Sequence, residues 1–392
     1  VDFVESKPLV LFGHNFASIA GAGPVIGPII AMHHFGWVVT LVWILIGNVF
    51  IGAVHDYLAL MVSVRNRGSS IADIAEKTMG IRAKSVFSIF LVLAMLLVIA
   101  VFGVVAAKTL IAQPQMVVPT FAIIPISIAL GWFIYYRNTN LAVSSIVAVA
   151  GVFLSIYFGF QSPVELPESG ILGFSPLMFW FVILMAYAAV ASILPVNILL
   201  QPRDYLSTYI LFGSMTLAVL ALLWVQPELH TPAYRGGFSE EQGPVWPMLF
   251  VLVACGAVSG FHSLVAGGTT SKQLSVESQG RPIAYGGMLT EGAVAVVTVL
   301  LVSGGLYWVA PASGDIDMNK FGFRETLQSG GWILAYGHGF GNLVHQMLPF
   351  ITFTFASMIA VLALNTFVLT TLDSAVRITR FILQESIGEK IV

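Results

Sequence analysis

Ten stretches of at least 20 mostly apolar residues divide this 392-residue chain, at 9–32, 36–63, 83–111, 117–136, 141–160, 174–201, 205–226, 245–268, 283–309 and 347–375. A helix needs about 20 such residues to cross the hydrocarbon core of a bilayer. Composition agrees: 57% of residues are hydrophobic and 9% are charged, whereas about a quarter are charged in soluble domains. The chain therefore reads as an all-α polytopic membrane protein whose first partner is the lipid bilayer. With 17 Lys and Arg against 19 Asp and Glu, it carries no basic field for nucleic acid. The single cysteine, Cys255, excludes a disulfide framework or a cage of cysteines around a metal. Val1 stands first and a polar DFVESKP leads directly into the first apolar stretch, so the natural N-terminus is expected upstream and no signal peptide is legible.

Basic residues orient the chain. Thirteen of them (Lys7, Arg65, Arg67, Lys77, Arg82, Lys84, Arg137, Arg203, Lys272, Arg281, Arg377, Arg380 and Lys390) fall on one side, and four (Lys108, Arg235, Lys320 and Arg324) on the other. The richer side is cytoplasmic, so segment one runs outward. The outer connections are then 227–244 and 310–346. The second contains GGWILAYGHGFGNLVHQM, which is expected to lie on the interface or to fold back.

Segment one carries AGAGPVIGPII at 20–30. A helix broken inside hydrocarbon exposes N–H and C=O groups, tolerable only where protein or a water-filled cavity satisfies them. Segment six repeats the device with SILPVNILLQPRDY at 192–205. Segments one and six each open a set of five, and an odd number per set gives the two sets opposite topology. That pattern is expected of inverted-repeat transporters with discontinuous helices; an ordinary proline kink is the alternative at both places. The first repeat would be 9–160 and the second 174–375.

If segment one unwinds near Ala20 to Gly23, its outer half-helix starts near Pro24, a residue suited to a first turn. The free N–H groups and positive end then favour an anionic group at the midplane, and glycines permit the close approach. A carboxylate is the substrate feature this implies. GAGPVIG is not a nucleotide loop, because no strand precedes it and its spacing differs from G-x-G-x-x-G.

Ionisable residues inside spans suggest function because they are costly there. His55, Asp56, Glu291 and Asp373 all sit in inner halves and could exchange a proton in each cycle. Burial against a neighbouring helix is the plain alternative for Asp56 and Glu291. For Asp373 it is an ion pair with Arg377, one turn on. In segment eight, Gly256, Ser259, Gly260, Ser263 and Gly267 share one helical face, suited to close packing. Alternatively, Ser259 and Ser263 could join carbonyls of segment one around a hard cation. His262 lies about 100° off that face. Ser259 and His262 lack the strand-turn-helix elbow of a hydrolase. His33 and His34 are adjacent and cannot chelate one ion as an i,i+4 pair does, so no metal site is expected. A channel would need a continuous polar path, whereas these groups cluster at the midplane and inside.

LFGHNFASIAGAGPVIGPIIA (11–31), GAVHDY (52–57), RGSSIADIAEKTMG (67–80), LPVNILLQPRDYLSTY (194–209), SGFHSLVAGGTTSKQLSVESQGRPIAYGGMLTEGAVA (259–295) and TTLDSAVRITRFILQE (370–385) resemble the carbon starvation (CstA) family. The resemblance departs at Asn15, where the family often has a second histidine, and at His55, where it often has glutamine. It implies a multi-pass transporter of the bacterial inner membrane, related to the amino acid-polyamine-organocation superfamily. The implied fold is a LeuT-like five-plus-five inverted repeat of about ten helices, with helices one and six broken. Family members usually have helices before the first block and after the last, so 1–392 reads as a single transmembrane domain that is a fragment.

The combined expectation is a non-enzymatic, cofactor-free importer of a small carboxylate, pyruvate, with a proton; the alternative is a short peptide, with sodium as coupling ion. Substrate is expected between His14, Asn15, Ser18, Gly21, Ala22, Gly23 and Gly27 on one side and Asn197 and Gln201 on the other. Coupling is expected among His55, Asp56, Ser259, His262, Ser263, Glu291 and Asp373. Oligomeric state is not legible.

Overall fold

The computed structural model describes residues 3, 5–137, 139–171, 173–195 and 198–388. Among them, nine helical stretches are long and apolar enough to cross a membrane. In chain order, the first pairs Pro8–Ala20 (α1) with Gly23–Phe35 (α2). The second runs through Trp37–Gly47 (α3), a π-turn at Asn48–Gly52 and Ala53–Arg65 (α4). The short α5 (Ile71–Met79), capped by Ser70, leads into α6 (Ile81–Ala112). Then come α7 (Val117–Tyr136), α8 (Leu141–Gln161), α9 (Pro176–Ile193) and α10 (Leu200–Val225).

Segment eight, continuous in the sequence reading, is divided into α11 (Val245–Leu252), α12 (Ala254–Ala257) and α13 (Gly260–Gly268). Val258 and Ser259 are extended, and this is why nine long helices stand where ten segments were read. The ladder lost there is partly repaired by Asn48. Its Nδ2 donates to the carbonyls of Gly256 at 3.3 Å and Met288 at 2.7 Å. Asn48 opens the π-turn of the second span, and such turns re-aim side chains at functional places.

The remaining elements are a π-turn at Arg281–Tyr285 and α14 (Gly286–Gly305), α15 (Met318–Phe321), α16 (Phe323–Met347) and the 36-residue α17 (Phe353–Gly388). α17 is buried along most of its length and packs on α1, α6, α9, α10 and α16. The outer aromatic piece forms the second part of α16 and packs on the bundle. α16 bends at Gly331 (φ 72°) and buries Ile333, Tyr336, Phe340 and Val344 against the bundle. Apolar side chains on α6 and α8, such as Phe90, Leu97 and Ile146, face outward, as hydrocarbon surroundings allow.

Two sequence expectations need correction. The break read into segment six is the joint between two complete spans: α9 ends at Ile193 and α10 begins at Leu200. Pro195 falls in the joint and Pro202 in the first turn of α10, where its missing N–H costs nothing. Arg377 donates to the carbonyls of Ala191 and Leu194, satisfying the end of α9. Arg203 and Arg377, counted among inner connection charges, are both buried in the bundle.

Candidate functional site: two broken helices and two buried ionisable networks

The break in segment one is where the sequence placed it. α1 stops at Ala20, Gly21 takes φ 25°, ψ −152°, and α2 starts at Gly23 with Pro24 in its first turn. Glycine is required for different reasons at the two positions. A side chain at Gly21 would be strained by its positive φ. A Cβ on Gly23 would lie 2.3 Å from Cys255 Cβ, and one on Gly27 would lie 2.2 Å from the Leu252 carbonyl oxygen. Ile19 also meets Cys255. These contacts fix an antiparallel crossing: as segment one ascends from 19 to 27, segment eight descends from 255 to 252. The ends of α1 and α12 and the starts of α2 and α13 therefore lie around one crossing.

Beside it stands a buried cluster. Asp56 Oδ1 is 2.9 Å from His55 Nδ1, and Asp56 Oδ2 is 2.7 Å from His262 Nδ1. On its other edge, His262 Nε2 lies 3.3 Å from Glu291 Oε2 and 4.0 Å from Cys255 Sγ. The His55 side chain is 35% exposed, whereas those of Asp56, His262 and Glu291 are all but inaccessible. Neither carboxylate oxygen of Glu291 is in hydrogen-bonding geometry.

A second network ties α1, α9, α10 and α17 together. His14 Nδ1 lies 2.7 Å from Asp204 Oδ2, whose other oxygen accepts from Arg203 Nη2 at 2.9 Å and Thr370 Oγ1 at 3.0 Å. Arg203 Nη1 reaches Asp373 Oδ2 and the Tyr187 hydroxyl, and Tyr187 donates to Asp373 at 3.0 Å. All of the charged members are fully buried. Asp373 thus finds Arg203 from α10. Burying one guanidinium between two carboxylates is tolerable because each charge is paired and hydrogen-bonded.

The other expected residues divide. Asn15 donates to the Ile283 carbonyl at 3.3 Å and accepts from Thr270 at 2.8 Å, and Ser18 accepts from Ser374 at 3.2 Å. Ala22 is buried in the break itself. Gln201 does not join them: its Nε2 lies 2.5 Å from Ser6 Oγ and from Gln273 Oε1. Ser6 precedes α1, and at 1.5 Å per helical residue that position is about 20 Å below the break. Asn197 lies outside the described residues. The single face through Gly256, Ser259, Gly260, Ser263 and Gly267 presupposed a continuous helix and is lost at Val258–Ser259. A Cβ on Gly256 would meet Ala295, whereas one on Gly267 would meet Ser69 and Ser63. Ser263 donates to its own turn, at the Gly260 carbonyl. His33 and His34 sit at the outer end, His33 among the rings of Trp308 and Phe323. Cys255, Arg203 and Asp204 were missed as site residues. The signal for the last two was a charged pair immediately after Pro202, in a segment too apolar to be a simple loop.

Fold and site together define a multi-pass helical membrane protein organised around discontinuous helices and buried ionisable networks. The family profile described as Carbon starvation protein CstA matches residues 1–314. The chain is 32% identical to the peptide transporter CstA of Campylobacter jejuni and 33% identical to that of Helicobacter pylori strain 26695. It is 30% identical to the pyruvate/proton symporter BtsT of Escherichia coli K12. Each alignment covers 99% of this chain and 60%, 61% and 62% of the relative, respectively, so the chain spans about three fifths of those relatives' length. No solved structure matches it. The chain belongs to the CstA family, and it is a multi-pass bacterial membrane protein.

Proposed function

We propose that this protein is a secondary transporter working by alternating access, importing a small carboxylate such as pyruvate together with a proton across the bacterial inner membrane. The observation that carries the proposal is the antiparallel crossing of segments one and eight, each broken at the point of contact. Crossings of this kind hold substrates between half-helix ends in inverted-repeat transporters. The start of α2 at Gly23 offers N–H groups and a positive end to a carboxylate. His14, Asn15 and Ser18 stand on the half-helix below.

The crossing also supports a different repeat boundary. The first repeat is proposed to start with segment one, as expected, and the second with segment eight at 245 instead of 174; α9 and α10 are then an added pair. Segment eight follows segment one by seven places, and an odd offset preserves the inversion.

The proton is assigned to the network of His14, Asp204, Arg203 and Asp373. It joins the inner half of the broken helix to α10 and α17, so a change in its protonation acts directly on the element that must move. A relative named as a pyruvate/proton symporter supports this coupling. Relatives named as peptide transporters support a short peptide as the second substrate reading. A peptide also ends in a carboxylate and would meet the same helix end. Neither reading involves catalysis.

The test is uptake of labelled pyruvate into liposomes holding the intact protein, under a proton gradient and then a sodium gradient, with a dipeptide as competitor. Accumulation driven by protons alone supports the proposal. Accumulation of dipeptide only, or accumulation only with sodium, refutes the substrate or the coupling assignment respectively.

A further inference from the structure

The cluster at the crossing has a capability that symport by the inner network does not use. Cys255 Sγ, His262 Nε2 and a carboxylate oxygen of Glu291 all lie within 4.8 Å of one another. In a tetrahedral zinc site, bonds of about 2.3 Å to sulfur and about 2.0 Å to nitrogen and oxygen place N and O ligands ~3.3 Å apart, and S and N ligands ~3.5 Å apart. The corresponding distances here are 3.3 Å and 4.0 Å. The nitrogen-oxygen pair already stands at ligand spacing, and the thiol, within 4.8 Å of both, has to draw closer.

Three further features point to a ligand. Metal-binding histidines commonly give their second ring nitrogen to a carboxylate, which fixes the tautomer and frees the other nitrogen to ligate. Asp56 does this to His262 at 2.7 Å. Glu291 is fully buried with neither oxygen in hydrogen-bonding geometry, although His262 Nε2 stands 3.3 Å away, a costly state for a buried acceptor. The ion-pair partners of Asp56 and Glu291 are histidines, so the cluster is short of positive charge that a divalent ion would supply.

We propose that Cys255, His262 and Glu291 form a binding site for a thiophilic divalent cation of the Zn2+ type, with Asp56 as the residue that orients His262. A thiolate, imidazole and carboxylate set selects such ions over sodium, magnesium or calcium, and three protein ligands leave a fourth position for water. Cys255 on α12 and His262 on α13 stand on opposite sides of the Val258–Ser259 break, and Glu291 belongs to α14. A bound ion therefore staples the two halves of segment eight to each other and to α14. It would hold the crossing in one conformation and arrest transport. This inference uses none of the residues assigned to the proton, so it can fail without the transport proposal failing, and conversely.

The test is cobalt binding to the purified intact protein. One Co2+ per chain, with a thiolate-to-cobalt charge-transfer band and the visible bands of tetrahedral cobalt, both abolished by added Zn2+, is the expected result. Cys255→Ser should lose the charge-transfer band, and Asp56→Asn should weaken cobalt binding by about 10- to 100-fold, as for other outer-shell carboxylates. Zn2+ should also raise the melting temperature of the unmodified protein and not that of Cys255→Ala. Absence of a thiolate band in the unmodified protein, or a band unchanged in Cys255→Ser, overturns the site.

Discussion

The two buried networks hold similar side chains and differ in how their charge is balanced. Around His14, Asp204 and Asp373 an arginine is shared by two carboxylates, and hydroxyls of Thr370 and Tyr187 add further bonds, while His14 Nε2, Arg203 Nε and Asp373 Oδ1 stay outside hydrogen-bonding geometry. Around Asp56 and Glu291 the partners are imidazoles and a thiol, and neither Glu291 oxygen meets a donor in hydrogen-bonding geometry. The first is paired within itself and binds four helices; the second is built like a receptor for something positive. Buried charge by itself therefore does not reveal a role. The chemistry of the partner does.

The largest effect that would sharpen this comparison is at the crossing beside the second cluster. Gly23→Leu should reduce uptake to background while the protein still inserts, because a Cβ there meets Cys255 at 2.3 Å; normal uptake by that variant removes the crossing as the substrate site. Next, Arg203→Ala should destabilise the protein by about 3–5 kcal/mol, the cost of leaving buried carboxylates unpaired. Its thermal melting in detergent reads this directly, and an unshifted melting temperature would mean that the network is wet. Asp204→Asn should keep the fold but flatten the pH dependence of uptake, since His14 and Arg203 then face a group that cannot ionise. An unchanged pH profile would transfer the proton to other residues. Glu291→Gln keeps the shape of the side chain and its neighbour His262 at 3.3 Å, so its effect on stability should be small, within about 1 kcal/mol, while cobalt binding is abolished. Smallest of all, Gln201→Ala should leave the substrate KM unaltered, because Gln201 contacts Ser6 and Gln273 well below the break.

Legibility differed between the breaks for a physical reason. Gly21, Gly23 and Pro24 mark segment one locally: a positive φ, a close approach and a first-turn proline are all written in residue type. Pro195 and Pro202 gave the same signal and marked only the end of one helix and the beginning of the next, because proline serves a joint as readily as a break. Segment eight carried no proline at its break. Its A-C-G-A-V-S-G run has a helix-compatible alternative, and the extended backbone at Val258 and Ser259 is held by a distant partner, Asn48, and by the crossing helix. Spacing within the sequence likewise disposed of His33 and His34 as a chelating pair, but it could not find Cys255, His262 and Glu291, which come from three helices.

What the sequence determined by itself was the membrane class, the positions of nine of the spans, the break at Gly21 and the start of α2. These follow from hydropathy and backbone preference, which act over a few residues. The tertiary structure decided the partner of that break, the burial of Arg203 between Asp204 and Asp373, and the meeting of Cys255, His262 and Glu291. Each of these joins residues from separate helices, where the cost of a buried charge or a lost backbone bond is settled by whichever side chain another helix brings.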